Sequence, residues 1–444
     1  MRRTPTPSIQ KPNAQLPSIS KPANQPVEMA SSSSSGAPPP APRPPWVILS
    51  RIALVRHAAA TGDLLSLSLA DPPRVSRLTT PTSVHPNPTR DGADRQPYVV
   101  AANDAGLLLH VSRSPSIGFN LSPNPRGVLL VAPARGFLPT APAAAAGPAA
   151  FECSAVRVPD RVRPEQCPVT TLRSVGLLPL PGGEFVVAEL VVTARAGLLT
   201  FFSGSDYWTE DSMACPLLSG PGKWVPHDVI PHAGNLWWVD LARGLLYCNP
   251  TDYHPDLRFV ELPEMFDLQL RAEPRDRIDS YRLVGEVGGR LRFVDVAQSR
   301  VDTPADTVVA LWTLTVDLRS GQASWKVGEL VRTTMANIWA DESFRETGMP
   351  QSVPAVTLMH PAKPDVVYLF LPQGLFGVDV RRSAVVEYAP AAHPKPRQLI
   401  TWRHVLAWVR PPLLLNAPNE EGHSSEGCQR SVTSSDLTDK NEST

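Results

Sequence analysis

The densest group of side chains that could do chemistry lies in WVPHDVIPHAGNLWWVDL, residues 224–241. His227, Asp228 and His232 are of types that bind metal ions. A zinc site also needs a further ligand at fixed geometry, and two prolines in the segment prevent the helix that would place both imidazoles on one side. The sequence therefore predicts no metal site, and predicts instead that these side chains hydrogen-bond to backbone groups where a strand begins.

The same segment supplies the candidate contacts for a ligand or partner. Trp237 and Trp238 are consecutive in a predicted strand, so their side chains point to opposite faces of the sheet. An outward tryptophan could anchor a partner, whereas packing against a neighbouring sheet is the favoured alternative. The candidate contacts are Trp224, His227, Asp228, Trp237 and Asp240.

Known catalytic motifs are not matched. The segment GPGK at 220–223 lacks the first glycine of a phosphate-binding loop, and a tryptophan follows its lysine. The serines of SGS at 203–205 are not in a G-x-S-x-G elbow. We therefore predict no catalytic residue and no cofactor, and we favour a non-catalytic protein over an enzyme.

Composition narrows the classes of partner and fold. The 42 basic and 42 acidic side chains cancel, so no global positive field is available to hold a nucleic acid. Fifty residues are prolines, about twice the usual share, which disfavours helix bundles and coiled coils. No apolar run is long enough to span a bilayer. The expected partner is a protein, with no nucleic acid and no membrane.

The five cysteines include no C-x-x-C pair. Because no apolar signal segment opens the chain, these cysteines are interpreted as reduced thiols in an intracellular protein of the cytoplasm or nucleus. The segment 1–45 is basic and rich in serine and proline. It is predicted to be a disordered tail, with organelle targeting as a less favoured alternative. Residues 416–444 are predicted to be a disordered acidic tail.

Between these tails, residues 46–415 alternate short apolar runs with Gly, Pro and Asp turns, which is typical of β-strands. A glycine followed by an apolar run ending in Val-Asp recurs at Gly234, Gly289 and Gly374, with a looser copy at GGEFVVAEL. The period near 50 residues is close to that of propeller blades. We predict an all-β, mainly antiparallel, β-propeller-like domain of five to seven blades; a β-sandwich is the alternative.

One segment departs from the strand pattern. In TTMANIWADESFRETGMP, residues 333–350, apolar side chains recur at helical spacing. Thr334 can cap the start of a helix, and Gly348 can end it. The sequence predicts one short amphipathic helix against the sheet.

Several segments occur in a characteristic order, among them WVILSR at 46–51, WVPHDVIPHAGNLWWVDLARGLLYCNP at 224–250, IWADESFRETGMP at 338–350 and HPAKPDVVYLFLPQGLFGVDVR at 360–381. In this order they closely resemble a plant family that is large in grasses, domain of unknown function 1618. The resemblance extends over about 46–410 and implies a β-rich, propeller-like domain from a cereal plant. It implies no activity, cofactor or catalytic residue.

Three functions follow as hypotheses. The first is a non-catalytic scaffold that displays variable loops to a protein partner. The second is a small-ligand receptor or enzyme that uses the central channel of a propeller. The third is a DNA-associated nuclear regulator, against which the zero net charge argues.

Overall fold

The computed structural model describes residues 44–56, 64–81, 97–111, 127–140, 150–161, 171–193, 195–217, 223–263, 275–297, 303–316, 323–390 and 405–415. The two predicted tails lie outside these residues, apart from Pro44 and Pro45. Across the described ranges, no helix has the length and apolar character that crossing a membrane requires.

Five antiparallel sheets of four strands each form the blades of a β-propeller. Blade 1 contains β5 (Tyr98–Asn103), β6 (Gly106–Val111), β7 (Val128–Pro133) and β10 (Val156–Arg157). Blade 2 contains β11 (Val175–Pro179), β12 (Phe185–Val192), β13 (Ala196–Phe202) and β14 (Thr209–Met213). Blade 3 contains β15 (Asp228–His232), β16 (Asn235–Asp240), β17 (Gly244–Cys248) and β18 (Arg258–Glu261). Blade 4 contains β19 (Arg282–Val287), β20 (Arg290–Ala297), β21 (Val308–Val316) and β22 (Ala323–Thr334). Blade 5 contains β23 (Ala355–Met359), β24 (Val366–Leu371), β25 (Gly374–Asp379) and β26 (Ala384–Pro390).

A seven-stranded sheet, called the closing sheet below, joins the two ends of the domain. Its strands, in spatial order, are β27 (Val405–Val409), β1 (Trp46–Ser50), β4 (Val75–Pro81), β3 (Leu65–Ser68), β9 (Ala150–Cys153) and β8 (Leu138–Pro139), and β2 (Leu54–Arg56) pairs with β4. The C-terminal β27 pairs antiparallel with the N-terminal β1 along their whole length. Strand β4 is parallel to both β1 and β2, an exception to the antiparallel pattern.

The first strand of each blade and β27 of the closing sheet face a central channel. Around this ring each of β27, β5, β11, β15, β19 and β23 contacts the next, and β23 contacts β27 again. The prediction of a propeller with five to seven blades is confirmed, and the channel places residues from distant parts of the chain opposite one another.

Each apolar cluster lies between two neighbouring sheets. Trp238 packs in a cluster with Leu178 and Val186 of blade 2, whereas Trp237 packs in a cluster with Phe293 of blade 4. Both indoles are almost fully buried. The expected alternation is therefore confirmed, and both faces of blade 3 are buried against neighbouring blades instead of being presented to a partner.

The glycine repeat is only partly a blade repeat. Gly183, Gly234 and Gly289 have positive φ angles and precede the second strands of blades 2, 3 and 4. Gly374 instead begins the third strand of blade 5, where a Cβ would lie 2.6 Å from the backbone oxygen of Ala389. Its role is close packing of two strands, so the last copy is not equivalent to the others.

Two short helices replace the single predicted one, α1 (Met335–Ala340) and α2 (Glu342–Glu346). The hydroxyl of Thr334 accepts a hydrogen bond from the backbone N–H of Asn337, as the predicted cap requires. Asp341 breaks the helix because its backbone is extended and its carboxylate accepts from the N–H of Ser343. A third helix, α3, spans Pro412–Leu415, and short 3-10 helices span Ala134–Gly136, Leu172–Ser174, Pro181–Gly183, Arg275–Ser280 and Pro304–Asp306.

We predict that Trp238→Phe destabilises the fold more than Trp325→Phe. The indole N–H of Trp238 donates a buried 2.8 Å hydrogen bond to the backbone oxygen of Ser174, whereas that of Trp325 donates an exposed 2.7 Å bond to Glu261. The first substitution should cost about 2–3 kcal/mol and the second less than about 1 kcal/mol, because water can replace only the exposed partner. Urea unfolding of both variants measures the difference, and equal losses would contradict the assignment.

His110 on β6 predicts a pH dependence of stability. Burial lowers its pKa to about 4 from the ordinary 6.5. Between these values the unfolded chain binds a proton that the folded chain does not, so this group's contribution to stability is present above pH 6.5 and is lost as the pH falls towards 4. His110→Gln should make the unfolding free energy less pH-dependent in this window by roughly 1–3 kcal/mol. Urea titrations at several pH values measure this, and identical slopes in the two proteins would refute it.

Candidate functional site

The central channel contains two adjoining cavities. The larger, of about 550 Å³, is lined by all six inner strands. The smaller, of about 90 Å³, lies beside the beginnings of these strands. The residues that line both are Arg51, Val100, Asp228, Leu283, Val284, Thr357 and Val405. The channel therefore narrows at one level, which we call the constriction and define by Arg51, Val100, Asp228 and Thr357.

Arg51 reaches across the channel at the constriction. One of its terminal nitrogens, Nη1, donates to the backbone oxygens of Val99 and Val100 on β5, at 3.3 and 2.7 Å. The other, Nη2, lies 3.2 Å from Oδ2 of Asp228 on β15. Because β11 separates β5 from β15 in the ring, this single side chain ties together two inner strands that are not neighbours.

The constriction carries a charged pair beside a neutral phenol. Burial disfavours the charged guanidinium of Arg51, but the neighbouring Tyr98 and Asp228 raise its pKa overall. Burial raises the pKa of Tyr98 above its ordinary value. The Arg51 guanidinium and the Asp228 carboxylate therefore meet at the constriction, with the un-ionised hydroxyl of Tyr98 beside them.

Two β-bulges shape the wall at this level. The pairing of β5 with β6 shifts register between Val99 and Ala101, so Val100 is the extra residue. The pairing of β23 with β24 shifts in the same way around Thr357. A bulge re-aims the groups of its extra residue. At Val100 the re-aimed carbonyl receives Arg51, and Thr357 lies in the wall of both cavities.

Further ion pairs surround the smaller cavity. Arg173 pairs with Asp279 at 3.4 Å, and Arg282 pairs with Asp295 at 3.1 Å. The second pair is buried, and burial raises the pKa of Asp295 although Arg282 acts in the opposite direction. The guanidinium of Arg282 also donates to the backbone oxygen of Leu241 at 3.0 Å. These pairs balance charge between blades and give the region no net excess of either sign.

Of the five residues selected from the sequence, His227 and Asp228 line the smaller cavity. The ring nitrogen Nδ1 of His227 accepts from the N–H of Leu241 at 3.2 Å. Oδ1 of Asp228 accepts from the N–H of Val229 at 2.9 Å. The prediction that these side chains bind backbone groups where a strand begins is confirmed for His227 and Asp228, and Asp228 in addition meets Arg51. It is wrong for His232, which ends β15 and whose Nδ1 lies 3.5 Å from the Glu286 carboxylate.

The other three selected residues lie in the interior. Trp224 and Trp237 pack in apolar clusters, and Trp237 stacks on Tyr247 with ring centroids 3.9 Å apart. The carboxylate of Asp240 accepts from the N–H groups of Val225 and Ala242, at 3.0 and 2.9 Å. These three side chains are almost fully buried, so they stabilise blade 3 and offer no surface for a partner.

Sequence reasoning missed Arg51, Tyr98 and Thr357. Arg51 follows β1 of the closing sheet, Tyr98 begins blade 1 and Thr357 lies in blade 5. Only ring closure brings these three residues to one level of the channel. The one usable signal was Thr357 itself, a polar residue inside the apolar run AVTLM. Within the described ranges, no group of three or more His, Cys, Asp or Glu side chains is placed to hold a metal ion.

We predict that Arg51→Met destabilises the domain more than Asp228→Asn. Loss of the guanidinium leaves two backbone oxygens of β5 without their donor and should cost about 1–3 kcal/mol. Loss of the carboxylate charge leaves Arg51 bound to those oxygens, and the Asp228 side chain is 37% exposed, so the cost should be below about 1 kcal/mol. Urea unfolding of both single variants and the double variant measures the coupling, and the reverse order would show that the ion pair outweighs the backbone bonds.

Comparisons with solved structures give low similarity. Apo AztD from Citrobacter koseri is 10% identical, with a TM-score of 0.33 and coverage of 77% of this chain and 84% of that chain. A putative 6-phosphogluconolactonase from Bacteroides fragilis NCTC 9343 is also 10% identical, with a TM-score of 0.28 and coverage of 76% and 97%. Neither similarity bears on function, and no curated protein matches the chain.

The family comparison covers part of the propeller. The matched stretch of the chain runs from the second strand of blade 3 to the second strand of blade 5. It is shorter than residues 46–410, over which the sequence resemblance extends. The description of this family names no activity. Residues 238–368 match the family described as "Protein of unknown function (DUF1618)", which supports the resemblance seen in the sequence.

Proposed function

We propose that this protein is a non-catalytic interaction scaffold whose loops bind a protein partner. The observation that carries the proposal is Tyr253, which is 89% exposed in the connection between β17 and β18 of blade 3. Tyrosine buries a large area at little conformational cost and is enriched among the residues that dominate binding energy. An aromatic ring held in water on a rigid domain is suited to that role.

The loop that carries Tyr253 is held by its own hydrogen bonds. Oδ1 of Asn249 accepts from the N–H and the hydroxyl of Thr251, at 3.0 and 2.8 Å. The Asn249 amide donates to Asp252 at 2.7 Å, and the ring of His254 lies edge-on to Tyr253 with centroids 4.4 Å apart. A loop ordered in advance loses less entropy on binding, which favours affinity.

The neighbouring blade adds apolar surface. Tyr207 is 63% exposed in the connection between β13 and β14 of blade 2, and Phe202 at the end of β13 is partly exposed. Between blades 2 and 3, a groove of about 470 Å³ is lined by residues 211–216 and 254–257. We call the Tyr253 loop and this groove the loop surface. Its mixture of aromatic and polar groups suits a protein partner.

The cysteines support a location in a reducing compartment, the cytoplasm or nucleus. Cys153, Cys215 and Cys248 are free and buried. Burial raises the pKa of Cys153 to about 11 and that of Cys248 to about 12, so these thiols stay protonated and unreactive. They act as apolar packing groups.

We predict that Tyr253→Ala removes partners that the wild-type protein retains. Proximity labelling in cells, with quantitative comparison of the labelled proteins, measures this. Val386→Ala is the matched control, because Val386 is 42% exposed on β26 of blade 5, outside the loop surface. The expected result is loss of one or more reproducible partners in Tyr253→Ala alone, by at least about tenfold, which is the effect of one typical anchor residue. A partner set that is empty for the wild-type protein, or the same in all three proteins, would overturn the proposal.

A further inference from the structure

The outer strand of blade 2, β14, is exposed on both faces and along its outer edge. It pairs with β13 through its inner edge, and its first four residues, 209–212, are all exposed. Side chains alternate between the two faces of a strand, so both faces of β14 lie in water. Among the described residues, no hydrogen bond reaches β14 from outside its own sheet. Every second residue of β14 therefore directs its backbone N–H and C=O groups to solvent.

Three other blades protect the same edge. In blade 1, β10 contains only two residues. On β18 of blade 3, the backbone oxygen of Glu261 accepts a 2.7 Å hydrogen bond from the indole of Trp325. On β26 of blade 5, the N–H of Val385 donates a 2.7 Å bond to the hydroxyl of Ser343 in α2. Because an open edge can pair with an added strand, the edge of β14 is a place where a partner strand can bind.

The surface around β14 is acidic. The segments 203–217 and 249–257 contain no lysine or arginine. Their exposed acidic residues are Asp206, Glu210, Asp211, Asp252 and Asp256. Arg258 lies 2.9 Å from Asp256 and neutralises it, whereas the first three acids have no ion pair among the described residues.

The position of two acids selects the occupant of the edge. Glu210 and Asp211 are consecutive, so they lie on opposite faces of β14, and each face of an added strand meets one carboxylate. A second copy of β14 would place like charges opposite one another, which disfavours pairing between two copies of this chain. Lysine and arginine side chains would meet opposite charge. The edge therefore favours a basic strand.

The groove between blades 2 and 3 connects this edge with the Tyr253 loop. Asp211 and Met213 of β14 line the groove, as does His254, whose ring lies edge-on to Tyr253. Tyr207, 63% exposed, precedes β14 by two residues. The face of a tyrosine ring attracts a lysine or arginine cation. The two tyrosines thus extend the preference for positive charge beyond the edge itself.

We propose that a basic, extended segment of the partner protein adds to β14 as a fifth strand of blade 2. Its backbone pairs with the outer edge of β14, and its lysine and arginine side chains contact Glu210 and Asp211. Side chains on its face towards blade 3 enter the groove and approach Tyr253. Backbone pairing supplies the affinity, and the charges select the sequence. This inference rests on the proposed interaction function and names the chemistry of the partner.

The test is binding of fluorescein-labelled octapeptides to the full-length protein, measured by fluorescence anisotropy at low ionic strength. The first peptide alternates lysine and threonine, and the second has glutamate in place of lysine. The third keeps the lysines but carries N-methyl groups on its two central residues, which block pairing along both edges. The first peptide should bind, and the other two should bind at least about tenfold more weakly. No binding of the first peptide at millimolar concentration, or equal binding of either other peptide, would overturn the proposal.

Substitutions locate the site. The double variant Glu210→Lys/Asp211→Lys should weaken binding of the first peptide at least about tenfold, because attraction becomes repulsion. The matched control is Asp104→Lys/Glu346→Lys, which changes the net charge equally at exposed positions outside the loop surface. Unchanged binding in the first double variant, or an equal loss in both, would refute the site.

Proximity labelling with the same double variants separates this inference from the proposed function. Glu210→Lys/Asp211→Lys should lose the partners that Tyr253→Ala loses, and the control should keep them. Partners lost in Tyr253→Ala but kept in Glu210→Lys/Asp211→Lys would overturn the role of β14 and leave the interaction function standing. If the first peptide binds β14 while labelling finds no partner in cells, the proposed function fails and the peptide-binding edge stands.

Discussion

The fold depends on ring closure. Each blade is apolar on both faces, so a blade is stable only between two neighbours. The closing sheet covers the two faces of blades 1 and 5 that would otherwise have no neighbour. It forms because β27 from the end of the domain pairs with β1 from its beginning. Its two faces then pack on blades 5 and 1, through clusters that contain Trp46 and Trp408. Without this pairing, the faces of blades 1 and 5 would be exposed to water.

Ring closure also explains the buried acids of the repeat. Glu189, Asp240 and Asp295 follow Gly183, Gly234 and Gly289 at the same spacing, and all three are buried in the second strands of their blades. Glu189 is bound by Arg161 and Ser174, Asp240 by backbone N–H groups and Asp295 by Arg282. The groups that bind the acid differ from blade to blade, but the acid keeps the same position in the repeat. The acidic residue thus organises the connections beside the channel. In blade 3, these backbone contacts explain why Asp240 is buried, and no bound ligand is needed to explain it.

The channel and the loops are subject to different constraints. Inner strands must contact both neighbours, so their side chains are fixed by packing, and the constriction is as rigid as the ring. Connections between outer strands have no such restraint, and Tyr253 and Tyr207 project from them into solvent. A rigid channel suits a small molecule that must be bound from several sides. Exposed aromatic loops suit a large partner that approaches from one side.

The sequence by itself determined the strands, the propeller class and the opposite burial of Trp237 and Trp238, because these follow from local periodicity and from the apolar character of both strand faces. It also located the helical segment, although the break at Asp341 needed the local backbone geometry. It could not place Arg51, Tyr98, Asp228 and Thr357 at one level. These residues are far apart in the chain, and their meeting depends on the order of the inner strands around the ring and on two bulges. Register shifts arise from pairing between strands, so only the tertiary structure decided the site.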